Sequence, residues 1–167
     1  MIHEEQVDLL HLKMMQFNSG DVNRIQHLTK VHRFAQLIAR MEKVDTHTQF
    51  LTECAALVHD IGIRPSEEKY GMSSGRLQEQ EGPAYARGML EEMNFDEDDI
   101  ERICYLVGHH HTYTDIDGID YQILVEADFL VNFYEDEMGH DDVRHAFEKI
   151  FRTESGKKLC RISYFGQ

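Results

Sequence analysis

Four residues of this chain have the right types to hold a divalent cation between them: His27, the adjacent pair His59-Asp60, and Asp128. The pair ends the apolar run Cys54-Ala55-Ala56-Leu57-Val58, and Asp128 lies inside Ile123-Leu124-Val125-Glu126-Ala127-Asp128-Phe129-Leu130-Val131. A carboxylate carried into an apolar interior is expensive unless it is paired or bound to a cation. Taken singly, each residue has a plainer account. His59 could complement a helix C-terminus with Asp60 turned to solvent, His27 could be a satisfied core histidine, and Asp128 could pair with an arginine or lysine. Taken together, the buried carboxylates and their histidines are explained at least cost by a shared metal ion. Imidazole nitrogen and carboxylate oxygen are natural donors for such ions.

The run His109-His110-His111 adds imidazoles at the end of another apolar segment. Continued as a helix, it places His111 nearest the apolar face, His110 to one side and His109 away; the ordering weakens if the helix ends at Gly108. A solvated, cationic helix end is the alternative. Glu81, just before Gly82-Pro83, reads either as a helix N-terminal carboxylate or as an outer ligand or the acid that handles a leaving group.

The segments that must position these residues are helical. Only two prolines, few alternating apolar/polar runs and many stretches of 3.6-residue period predict an all-α fold. The 167 residues fit one domain, 1–167, with a core over about 21–135 flanked by an N-terminal helix and a C-terminal helix plus tail. The expected helices run from about Glu4 to Gln16, from an Asp21 N-cap to about Lys43, and from Thr48 to His59. Further helices are expected from Pro83 to Met93, from an Asp96 cap onward, from Tyr121 to Glu135 and from Asp141 to Phe151. Arg64 to Gln80 is polar and glycine-containing and reads as a long functional loop; the tail after Phe151 reads as a loop or short helix.

Seventeen basic against thirty-one acidic residues give a net charge of -14, which argues against duplex nucleic acid as a partner. A small phosphate ester stays compatible, because a bound cation reverses the potential inside one pocket. Cys54, Cys104 and Cys160 form no C-x-x-C and read as reduced, buried thiols. No apolar stretch is long enough to span a bilayer, and the start lacks a signal-peptide pattern. A cytoplasmic protein with no membrane partner is the expectation; a homodimer is left open.

In order and context, His27-Leu28-Thr29-Lys30-Val31, Ala56-Leu57-Val58-His59-Asp60-Ile61-Gly62 and Glu126-Ala127-Asp128 resemble the motifs of the HD-domain metal-dependent phosphohydrolase superfamily. The resemblance covers roughly Asp21 to Glu135 and is that of a small, stand-alone bacterial HD protein. It implies a single-domain helical bundle with a metal at its centre, held by His27, His59, Asp60 and Asp128. His109 and His110 resemble the paired histidines with which some members bind a second ion. Glu81 departs from the histidine often found at its position, so one ion is expected and two are open. The donor set suits Mn, Fe, Co, Ni, Zn or Mg.

The implied activity is hydrolysis of a small phosphate ester, in the first place a nucleotide, by metal-activated water, with Asp60, His59 and Glu81 as catalytic residues. Lys30, Arg64 and Lys69 are candidate phosphate-binding residues, and Glu126 and Asp115 are candidate second partners for the metal-bound imidazoles. The alternatives are a non-catalytic metal- or nucleotide-binding regulatory module and, further off, a di-iron HD-type oxygenase.

Overall fold

A computed structural model describes residues 2–167, and every regular element among them is helical. In chain order these are α1 (Ile2–Phe17), α2 (Val22–Glu42), α3 (Thr46–Val58), α4 (Ile63–Tyr70), α5 (Gly75–Glu92), α6 (Glu97–Val107), α7 (Ile119–Glu135), α8 (His140–Ile150) and α9 (Glu154–Cys160), followed by a π-helical turn at Arg161–Phe165. The caps follow ordinary helix chemistry. Asp21 accepts from the Arg24 amide, Asp45 from those of His47 and Thr48, and Ser74 from that of Leu77, satisfying donors the first turn leaves open. Lys43 ends α2 in the left-handed region at φ 57°.

Every residue of α3 from Phe50 to Val58 is buried, and α3 packs against α1, α2, α6 and α7. A stretch buried all round is what a helix surrounded by others requires. α2 also lies along α7, while α5 packs on α4 and α6. The three cysteines are free and buried.

Two expectations are corrected. The segment Arg64 to Gln80 is not a loop: it holds α4 and the first turns of α5. In α4 only Ile63, Pro65 and Ser66 are buried, too few to show a helical period, and Pro65 sits in the first turn, where its missing N–H is harmless. Pro83 likewise does not open a helix but lies inside α5, which is capped by Ser74 instead. Gly62 is the N-cap of α4, since α3 ends at Val58 and His59 to Gly62 form turns. The tail is helical, and Ser155 ties it to α2 by donating its amide to Glu42 Oε1 at 2.8 Å.

The turn after His59-Asp60 brings α4 against the backbone of α5. A Cβ on Gly62 would stand 2.6 Å from the Gln78 carbonyl oxygen and 2.7 Å from the Gly82 nitrogen, so only glycine permits this approach.

Candidate metal centre

His27 lies on the buried face of α2 with Leu28 and Val31. His59 is the C-cap of α3, and Asp60 follows in the turn, so the neighbouring side chains swing to a common point. Asp128 comes in from α7, where Leu124, Val125 and Val131 are buried around it. Helix packing gathers them: α2 crosses both α3 and α7. His27 Nε2 lies 3.2 Å from Asp60 Oδ2 and 3.3 Å from Asp128 Oδ1. His59 Nε2 lies 3.4 Å from His27 Nε2, 3.4 Å from Asp128 Oδ1 and 3.6 Å from Asp60 Oδ2.

The far ring nitrogens fix what these atoms are. His59 Nδ1 donates to the Ala56 carbonyl at 2.8 Å, and His27 Nδ1 donates to Glu135 Oε1 at 3.0 Å. Acceptors there require N–H at Nδ1, so in the neutral rings both Nε2 atoms present lone pairs. Two nitrogen lone pairs therefore face oxygens of both Asp60 and Asp128, an arrangement that calls for a cation or for protons, and His27, His59 and Asp60 offer ligand atoms within 4.8 Å of one another. Donors bound at about 2.0–2.2 Å to one ion stand about 3.0–3.4 Å apart in octahedral or tetrahedral geometry. The set fits a divalent ion of the mixed nitrogen–oxygen class.

Without an ion, protons serve instead. Burial alone would lower the His27 pKa, but hydrogen bonds to Asp128 and Asp60 outweigh it and push it up to about 10. For Asp60 burial acts upward, yet the charge of His59 and the bonds to His110 and His27 hold the carboxyl well below the usual carboxylate range. Asp128 is also lowered, with its hydrogen bond to His27 prevailing over burial. Asn132 Nδ2 donates to Asp128 Oδ1 at 3.0 Å and completes its setting.

Asp60 has a second face. Its Oδ1 lies 3.2 Å from His110 Nε2, and Asp60, His110 and His111 offer ligand atoms within 4.8 Å of one another. His110 is the buried member of the triple run, with Nδ1 donating to the Val107 carbonyl at 2.7 Å. His111 is half-buried, and its Nε2 is 2.6 Å from Gln78 Oε1. Burial and the nearby His110 lower its pKa to about 4, so it stays neutral. The ordering expected from a continued helix is thus corrected. α6 stops at Val107, the turn rotates His110 inward, and His109 stacks on the Tyr105 ring at 4.0 Å with Nδ1 on the Tyr105 carbonyl. His109 is not brought into the cluster.

A cavity of about 340 Å³ opens onto the cluster, lined by Asn23, Arg24, Ile63, Gln78, Asn132, Glu135 and Asp136 besides His27, Asp60, His111 and Asp128. Several anticipated residues stand outside this lining. Arg64 donates to the Phe17 carbonyl and pairs with Glu68. Lys69 pairs with Glu81, which also accepts from the Tyr70 hydroxyl at 2.8 Å. Lys30 lies 3.1 Å from Glu135 Oε1. Asp115 is exposed in the loop before α7, and Glu126 points to Thr153, so neither supports a ring of the cluster.

Sequence reasoning passed over Arg24, Asn132 and Glu135. Each had a signal: Arg24 precedes His27 by three residues, and Asn132 and Glu135 follow Asp128 by four and seven, on the same helix faces.

The HD domain family model matches residues 24–132, a span from Arg24 to Asn132. A predicted HD superfamily hydrolase from an uncultured Thermotogales bacterium, solved as a crystal structure, is 27% identical to this chain, covers 98% of it and 85% of its own length, and superposes with a TM-score of 0.65. Bacillus subtilis YpgQ, solved in complex with ADP, is 17% identical, with a TM-score of 0.67 over 99% of this chain and 90% of that one. At that identity the likeness concerns the fold. No curated protein matches the chain.

Proposed function

The chain belongs to the HD-domain family, and on that premise we propose that it is a metal-dependent phosphohydrolase acting on a small phosphate ester, in the first place a nucleotide. The observation that carries this reading is that the Nε2 atoms of His27 and His59 each face oxygens of both Asp60 and Asp128, at 3.2 to 3.6 Å.

His27, His59, Asp60 and Asp128 are the residues that would hold the ion. Its contribution is to polarise a phosphate oxygen and to lower the pKa of a bound water, to about 7 in a well-built zinc site. The chain's own side chains do the rest. Arg24 stands in the cavity wall, held only loosely by Asp21 at 3.8 Å, and is free to turn its guanidinium to a phosphate. Asn23 and Gln78 add polar contacts for the ester's other groups. His110, linked to Asp60 at 3.2 Å, orients that carboxylate.

The cavity's size, about 340 Å³, suits one small ester and lies at the low end of the range of small-molecule sites, about 300–1,000 Å³. The ADP complex of a fold relative supports a nucleotide as the first class to try. Elemental analysis followed by a screen of divalent ions against phosphate esters tests the reading. Activity is expected with at least one ion, and Arg24→Ala is expected to raise KM about tenfold or more, the worth of one charge-assisted hydrogen bond. Hydrolysis persisting unchanged in metal-stripped Asp60→Ala protein would overturn it.

A further inference from the structure

His27, His59 and His110 each aim Nε2 at the cluster, but their far nitrogens are anchored differently. His59 and His110 donate Nδ1–H to carbonyls three residues back, Ala56 and Val107, so each ring is fixed by its own turn of backbone. His27 instead leans on a side chain from another helix: Nδ1 donates to Glu135 Oε1 at 3.0 Å, across from α2 to the last turn of α7. The same oxygen also receives the Lys30 ammonium at 3.1 Å, and Lys30 lies over the Tyr134 ring at 5.7 Å.

We propose that Glu135 is a positioning residue for the metal centre, and that Lys30 acts on Glu135, not on substrate; the inference rests on the metal site proposed above. A carboxylate accepting from Nδ1–H locks the tautomer that leaves Nε2 free and raises the basicity of that nitrogen more than a backbone carbonyl does. It also fixes the ring's rotation, which nothing in α2 sets. Lys30 has a separate task. Glu135 lines the cavity, and its carboxylate could turn inward toward a bound ion; pairing with Lys30 from one turn beyond His27 keeps it on the far side of the ring. The arrangement ties the end of α7 to α2 at the point where the first ligand leaves its helix.

The test measures metal affinity directly, by chelator competition with Mn²⁺ or Zn²⁺ on folded protein checked by circular dichroism. Glu135→Ala is expected to weaken binding about 10- to 100-fold, as removal of such outer partners does elsewhere. Glu135→Gln keeps an acceptor oxygen and is expected to recover part of that loss. In the zinc-loaded protein the His27 Nδ1–H proton should resonate far downfield in the parent, as an N–H bonded to a carboxylate does, and move upfield in Glu135→Ala, a signature that a merely structural role would not move. Lys30→Met is expected to weaken metal binding by less than Glu135→Ala and to leave the ester's KM unchanged at saturating metal. Parent-like metal affinity and an unchanged His27 Nδ1–H resonance in Glu135→Ala would refute the assignment. So would a raised KM with metal affinity intact, which would make Glu135 a substrate contact. Because the readout is binding, a protein that held metal without hydrolysing any ester would defeat the proposed activity and leave this inference standing.

Discussion

Glu126 and Asp128 lie two residues apart on α7, both buried, and face opposite ways, since two helical steps turn the side chain through about 200°. Glu126 meets neutral donors. The Thr153 hydroxyl reaches it at 2.8 Å, Gln122 Nε2 at 2.6 Å, and the amides of Thr153 and Arg152 at 3.2 and 3.4 Å. Asp128 meets Asn132 and the Nε2 atoms of two histidines, with a second carboxylate beside them. Burial raises the Glu126 pKa, whereas the histidines bring that of Asp128 down despite burial. A buried acid is therefore not in itself a sign of a site. Glu126 is saturated by groups that need nothing further and pins the C-terminal segment, while Asp128 belongs to a set whose members cannot satisfy one another without an added positive charge.

The contrast can be broken most sharply by removing each acid. Asp128→Ala is expected to abolish stoichiometric metal binding and to cut hydrolysis by more than about 100-fold, beyond the range seen for outer partners. Glu126→Ala should keep the metal, measured by elemental analysis, while losing roughly 3 kcal/mol or more in urea unfolding, because several buried donors are orphaned at about 1–3 kcal/mol each. A loss of metal in Glu126→Ala with the fold intact would erase the distinction.

Gly156→Ala is the subtler probe of the same latch. A Cβ there would run into Glu126 Oε1, so a loss of about 1–3 kcal/mol is expected without change in metal content.

The smallest effect is in pH dependence. His27 in the metal-free protein has its pKa raised from 6.5 to about 10, so its contribution is complete below 6.5 and fades as pH rises toward 10. The unfolding temperature of the stripped protein should decline across that window. Asp128→Asn should flatten the decline, and Glu126→Gln should leave it in place.

Much of this was legible in the chain. The apolar run Cys54 to Val58 marked the central helix, and His27, His59, Asp60 and Asp128 stood out because charge in an apolar context needs a reason. α4 was hidden because a short helix with one buried edge leaves no period to read, and Pro83 misled because proline is commoner at a helix start than inside. The inward turn of His110 depended on α6 stopping at Val107, one residue before Gly108. Lys30, Arg64 and Lys69 were plausible phosphate binders by proximity alone, but each is engaged by an acid close by, Glu135, Glu68 or Glu81. Competition among neighbours of that kind is decided in three dimensions and leaves no pattern in one.

The contact of Gly62 with Gln78 and Gly82 bears on what can enter. Asp60 stands two residues before Gly62, and Gln78, whose carbonyl touches it, carries the side chain that holds His111. The gauge of the opening between those opposing walls is thus set by one missing methyl group, that of Gly62. Alanine at position 62 would act as a shim, driving α5 outward and His111 away from Asp60, and on the proposed function would change which esters fit before it changed how any of them reacts.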